Sequence, residues 1–184
     1  MSAGRGFRYS YGYGYEYPQA SEAINPYTSQ QFETSAFFPI TGDGRYMMEI
    51  KVMKSDASCM VPLQCMDDVE LASDSGADMI LLTRDVADML GYQVDMLSED
   101  YNFQVQGKSG EPTIFKEVTT WIQIGNMRPL QVPVGLAVDV NALVENLFGN
   151  RGTIDSGEVS ASYSNRGVMY TEGMNTRAAS VSLI

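Results

Sequence analysis

Histidine is absent from the sequence, so no imidazole can serve as a general base, a proton shuttle or a metal ligand. Carboxylates, hydroxyls and thiols are what remain for catalysis, and neither a metal nor a cofactor is expected. Positive charge is scarce too. Against 23 Asp and Glu stand 12 Lys and Arg, a formal net charge of −11, which excludes the basic footprint that nucleic-acid binding requires. The acidic balance reads as a solvated surface. The apolar runs are too short to span a bilayer, and the first residues lack the apolar stretch of a secretory signal. Neither a membrane partner nor export by a signal peptide is therefore expected. There is no P-loop, dinucleotide fingerprint or glycosylation sequon.

Cysteine is almost missing. Cys59 and Cys65 are the two present, and in an extended strand they would lie about 20 Å apart. A disulfide between them needs a sharp bend, which Pro62 is able to supply. A pair without a repeated framework reads more simply as two reduced, buried, small hydrophobes, pointing to a reducing intracellular compartment or a virion. What the chain does have is enough apolar material for a core: 44% hydrophobic residues over 184 positions, which suits one domain with extensions. Its 12 methionines are spread along the chain and read as adaptable core or contact surface.

Three segments follow from the pattern. Residues 1–44 form an N-terminal arm and linker. Within it, positions 4–18 are a Tyr/Gly tract carrying Arg5 and Arg8, a composition that does not fold alone but offers large amphipathic side chains to a neighbour. The folded domain is expected over 45–170, and 171–184 return to small and polar residues as a C-terminal extension. Alternation over 46–54 predicts a strand, with 59–65 as its hairpin partner at an edge because of Pro62. Thr83 is a good N-cap, Asp85 suits the positive end of the helix, and Val86, Met89 and Leu90 are its expected apolar face, closed by Gly91. Residues 101–111 predict a hairpin with its tip at 106–110. A long alternating strand over 114–124 turns back at Gly125 and Asn126, and 139–148 suit a brief helical turn.

The most informative stretch is 71–92. An apolar strand leads into Asp74-Ser75-Gly76-Ala77, which is followed by a second apolar run and a short amphipathic helix ending in Leu90-Gly91. A carboxylate that must approach a symmetry mate needs a tight turn, a hydroxyl neighbour and a glycine that lets backbones come close. This order resembles the retropepsin-like aspartic proteases, and the later triplet Leu147-Phe148-Gly149 fits the apolar-apolar-Gly element of that pattern. Two departures are visible. Ser73 stands where the family usually has Leu, Ile or Val, and Asn150-Arg151 reverses the usual order of the residues that brace the fold. A second Asp155-Ser156-Gly157 lacks a following apolar run and helix, and reads as a β-turn.

The resemblance covers positions 46 to about 170. It implies a mainly β, closed antiparallel β-barrel with one short helix and extended arms at both ends. It further implies a homodimeric endopeptidase, with Asp74 from each subunit activating water, Ser75 bracing the carboxylates and Gly76 permitting their approach. Ala77, Asp78 and the flap-tip Gly107 would contact the peptide or protein substrate. The competing reading is a catalytically silent fold of the same kind, built into a large assembly such as a viral or phage particle and held there through residues 1–18.

Overall fold

A computed structural model describes residues 31–173 apart from 57–58, 60–61, 107–109, 111 and 144. The tract 4–18, the flap-tip Gly107 and most of the C-terminal extension lie outside the described residues.

Among the described residues ten strands and one α-helix follow in chain order: β1 (Ser35–Pro39), β2 (Met47–Met53), β3 (Met66–Ser73), β4 (Ile80–Leu82), α1 (Arg84–Met89), β5 (Asn102–Gln106), β6 (Pro112–Ile124), β7 (Leu130–Ala137), β8 (Leu147–Phe148), β9 (Val159–Ser164) and β10 (Gly167–Glu172). The larger sheet runs β2-β3-β8-β4-β7-β6-β5, and β2 also pairs with β6, through Ile50 opposite Ile124 and Val52 opposite Ile122. That pairing closes six strands into a barrel and leaves β5 as the outer strand of a hairpin with β6. A second sheet of three strands is ordered β1-β10-β9.

Alternation explains the barrel wall. Along β2, Met48, Ile50 and Val52 are buried between Glu49 and Lys51, and on β3 Val69 and Leu71 are buried between exposed Asp68 and Glu70. Lys51 meets Asp68 at 2.6 Å across the β2–β3 ladder, on the solvent face. β4 is buried at all three positions, as a continuous apolar run demands when a strand lies parallel to β7 and is covered on both faces. A second apolar cluster, Met79, Leu81, Phe115 and Ala137, joins half-buried Phe103, Val105, Ala142, Leu143 and Leu147 beneath the β5–β6 hairpin. There Gly135 makes room for Phe103, since a Cβ at this position would stand 2.7 Å from the phenyl ring. Among the described residues no helix is long and apolar enough to cross a membrane.

Several expectations change. Residues 59–65 are not the hairpin partner of β2. Cys59 and Cys65 are joined by a disulfide, with Cα atoms 5.8 Å apart rather than at the extended spacing. A short 3₁₀ turn, Pro62–Gln64, reverses the chain, Cys65 N–H donates to the Pro62 carbonyl at 3.0 Å, and β3 becomes the hairpin partner instead. The pair are therefore not reduced thiols, and the compositional ground for a reducing compartment falls away. In α1 the buried position is Ala87; Val86 and the C-cap Leu90 pack on the core as expected, while Met89 is 54% exposed. Thr83 caps the helix as expected, its side chain accepting from the Val86 N–H. The stretch 139–148 has no helix among its described residues, and ends in β8. Strand pairing reaches back to Ser35, ahead of the expected start at Arg45, and runs on to Glu172.

Burial closes the seam between the two sheets with charge. Arg128 and Glu172 form an ion pair at 3.0 Å with side chains only 12% and 7% exposed, where loss of one partner leaves an uncompensated charge. Alkylation without prior reduction should label neither cysteine, as read by mass spectrometry. The variant carrying both Cys59→Ser and Cys65→Ser should lose about 2 kcal/mol of stability in denaturant unfolding, the scale expected for a short closed loop.

Candidate active site

β3 delivers the chain to Asp74 at the mouth of the barrel. The Asp74 N–H donates to the Phe148 carbonyl on β8 at 3.1 Å, and the Ala77 N–H donates back to the Asp74 carbonyl at 3.1 Å, which makes residues 74–77 a β-turn. One carboxylate oxygen of Asp74 accepts from the Gly76 N–H at 2.8 Å, the local bond that Asp favours at such corners. Asp74, Ser75, Gly76 and Asp78 are exposed, while Ala77 is buried. The fold thus presents Asp74 and Asp78 outward and uses Ala77 as the anchor of the loop. No hydrogen bond joins the Ser75 hydroxyl to another described residue, so within one chain only its backbone takes part in the turn.

The loop is locked from behind by the segment after β8. Asn150 N–H donates to the Ala77 carbonyl at 3.1 Å, and its side-chain amide donates to the Ser75 carbonyl at 2.9 Å. The Arg151 N–H donates to the Asp78 carbonyl at 2.6 Å, and its guanidinium pairs with Glu117 on β6 at 3.0 Å. Both members of the reversed pair therefore brace the turn, Asn150 through its side-chain amide and backbone and Arg151 through its backbone N–H, while the Arg151 guanidinium ties this segment to β6. Gly149 is what allows this approach. A Cβ there would stand 2.3 Å from the Met79 carbonyl oxygen and 2.6 Å from that of Ala77.

Beneath Asp74 is a feature the sequence alone did not disclose. Ser73 continues the inward row of Val69 and Leu71, yet its hydroxyl is satisfied twice, by the Tyr170 hydroxyl at 2.6 Å and the Tyr163 hydroxyl at 2.9 Å. The signal for this arrangement was present only as an oddity, a hydroxyl where an aliphatic group was expected and two tyrosines on strands far along the chain. Tyr170 is fully buried, and burial pushes its phenol well above the ordinary tyrosine range, against a smaller opposing effect of the Ser73 hydrogen bond. The second Asp155-Ser156-Gly157 forms a turn, Gly157 N–H to Ile154 carbonyl at 3.0 Å, leading into β9. Among the described residues no three of His, Cys, Asp and Glu are grouped to hold a metal ion.

In three dimensions the chain is similar to the crystal structure of a retropepsin-like aspartic protease from Rickettsia conorii. The TM-score is 0.55 at 15% sequence identity, and the match covers 76% of this chain and 92% of that one. The likeness shows the fold: a mainly β, retropepsin-like barrel with one helix. No family model matches the sequence, and no curated protein matches it.

Gly149→Ala should lower unfolding stability by about 3 kcal/mol, since the methyl group meets two backbone carbonyls that cannot rotate away. Asn150→Ala should lose about 1 kcal/mol, the worth of one hydrogen bond. Denaturant titration distinguishes the two. For Tyr170 the folded pKa lies above the ordinary 10.0, so its contribution to stability is complete below that pH and is lost as pH rises past it. Alkaline unfolding curves should show this decline in the wild type and a flatter one in Tyr170→Phe.

Proposed function

We propose that the chain is an aspartic endopeptidase of retropepsin type, active as a homodimer in which Asp74 of each subunit faces its twin. The observation that carries this reading is the state of Asp74, an exposed carboxylate on a turn fixed from behind by β8, Asn150 and Arg151. A side chain buried by its own subunit could not serve; this one is open to a partner.

The chemistry follows from proximity. Two carboxylates a few ångströms apart cannot both ionise cheaply, so they share one proton and titrate as a pair. The ionised member draws a proton from a water held between them, and the protonated member donates a hydrogen bond to the scissile carbonyl as the water adds. Gly76 lets the two turns meet without side-chain interference, and the Gly76 N–H, already bonded to Asp74, keeps the carboxylate oriented. The Ser75 hydroxyl, which has no partner among the described residues of its own chain, can brace the pair once a second turn is present. Asp78 and the β5–β6 hairpin with Gly107 would line the peptide channel.

The silent structural reading is favoured by one feature, the Tyr/Gly tract with Arg5 and Arg8 in an otherwise acidic chain. A single variant separates the two. Under the enzyme reading, purified protein cleaves a peptide library at mildly acidic pH, is inhibited by a statine-type compound and is indifferent to chelators. Asp74→Asn then lowers cleavage by at least about a thousandfold. Cleavage that persists in Asp74→Asn overturns the proposal. An inert wild type whose assembly depends on residues 1–18 and is indifferent to Asp74→Asn supports the structural reading.

A further inference from the structure

Ser73, Tyr163 and Tyr170 lie outside the reacting groups, yet they are joined in two closed circuits, one that fixes Ser73, the neighbour of Asp74 in the chain, and one that reaches Asp74 itself. The first runs through Tyr46. Its carbonyl accepts from the Ser73 N–H at 2.7 Å, its ring meets Tyr163 edge-on with centroids 5.2 Å apart, and the Tyr163 hydroxyl returns to Ser73 Oγ at 2.9 Å. The Tyr46 hydroxyl also donates to the Ser164 carbonyl at 3.0 Å, which fixes the end of β9. The second circuit runs through β8. The Tyr170 hydroxyl meets Ser73 Oγ at 2.6 Å, its ring packs edge-on against Phe148 at 5.2 Å, and the Phe148 carbonyl accepts from the Asp74 N–H.

Resting on the reading of Asp74 as the catalytic carboxylate, we propose that Ser73, Tyr163 and Tyr170 form a positioning device that ties the Asp74 turn to the β9–β10 hairpin and sets the direction of its carboxylate. An aliphatic side chain at 73 would extend the core row of Val69 and Leu71 without specifying direction. A hydroxyl that is bonded to two phenols specifies it, because hydrogen bonds lose strength steeply with angle while apolar contacts do not. The strand register brings the two phenols together. Val168 opposes Tyr163 and Ala161 opposes Tyr170, which places both rings as diagonal neighbours on the same face of one hairpin. Small displacements of a catalytic pair are costly in rate, on the order of a hundredfold for about 1 Å. The three hydroxyls thus act on the reaction through Asp74, and none of them touches the substrate.

The test uses the full chain with three variants. Ser73→Ala removes the shared hydroxyl. Tyr163→Phe removes one phenol at a site 39% exposed, where folding is not at stake. Ser73→Thr returns a hydroxyl. The first two should lower kcat by roughly 10- to 100-fold with KM within about twofold, and should shift the limbs of the pH profile for kcat. Ser73→Thr should restore most of the rate. Independently of turnover, amide exchange at Asp74 should accelerate about tenfold in Ser73→Ala and Tyr163→Phe, while amides of β6 and β7 keep their wild-type rates. Wild-type kcat and wild-type Asp74 exchange in both variants overturns the positioning role, as does acceleration spread evenly over all amides. If the wild type cleaves nothing, the enzyme reading fails, and amide exchange alone then decides whether the three hydroxyls hold the turn.

Discussion

The architecture depends on one close approach, that of Gly149 to the carbonyls of Ala77 and Met79. With no side chain between them, the segment after β8 reaches the exposed turn and donates three hydrogen bonds to it, from the Asn150 backbone, the Asn150 amide and the Arg151 backbone. The same contact lets β8 enter the barrel between β3 and β4, so that a strand of only two residues joins one wall to the other. Everything the site requires descends from this point. The turn can project a charged group into solvent because its backbone polar atoms are already satisfied behind it.

Above that contact the structure separates two roles that a single loop often combines. The tip, with Asp74, Ser75, Gly76 and Asp78, is exposed and free to meet another molecule, while Ala77 is packed below. The root is stiffened by groups of different chemistry on each side: a side-chain amide and backbone N–H groups from the segment after β8, hydroxyls and aromatic rings from the second sheet. The buried ion pair of Arg128 with Glu172 holds that second sheet to the start of β7, so the stiffness at the root is continuous with the barrel wall.

Where the physics was local, the sequence was legible. Period-two burial on β2 and β3, the triply buried β4, the Thr83 cap, the turn at Gly125 and the order Asp74-Ser75-Gly76-Ala77 all follow from neighbours a few positions apart. The barrel itself was implied by the resemblance that the 71–92 stretch and Leu147-Phe148-Gly149 carry, and not by these local patterns. What escaped was set by contacts between distant residues. The bend at Cys59–Cys65 depends on Pro62 reversing a segment whose alternation resembles a strand. β1 has no signature beyond five residues, and it exists because β10 offers it a ladder. The Ser73 hydroxyl looks misplaced until Tyr163 and Tyr170, about ninety positions away, arrive from the far end of the chain. Spacing alone points Met89 inward, yet the buried face is centred between Val86, Ala87 and Leu90, which leaves Met89 at its exposed edge.

That distance has a further meaning for how the molecule comes into being. Among the described residues β1 is the first strand and finds its partner in β10, the last of them, and the aromatic hydroxyls beneath the turn ride on the β9–β10 hairpin. Barrel strands such as β6 and β7 are hairpin neighbours and can form early, whereas contacts of high sequence separation form late. The acidic turn therefore acquires the contacts of Tyr163 and Tyr170 only when the β9–β10 hairpin has docked beneath it. A nascent polypeptide would carry the aspartate long before it carried the strands that pack beneath it.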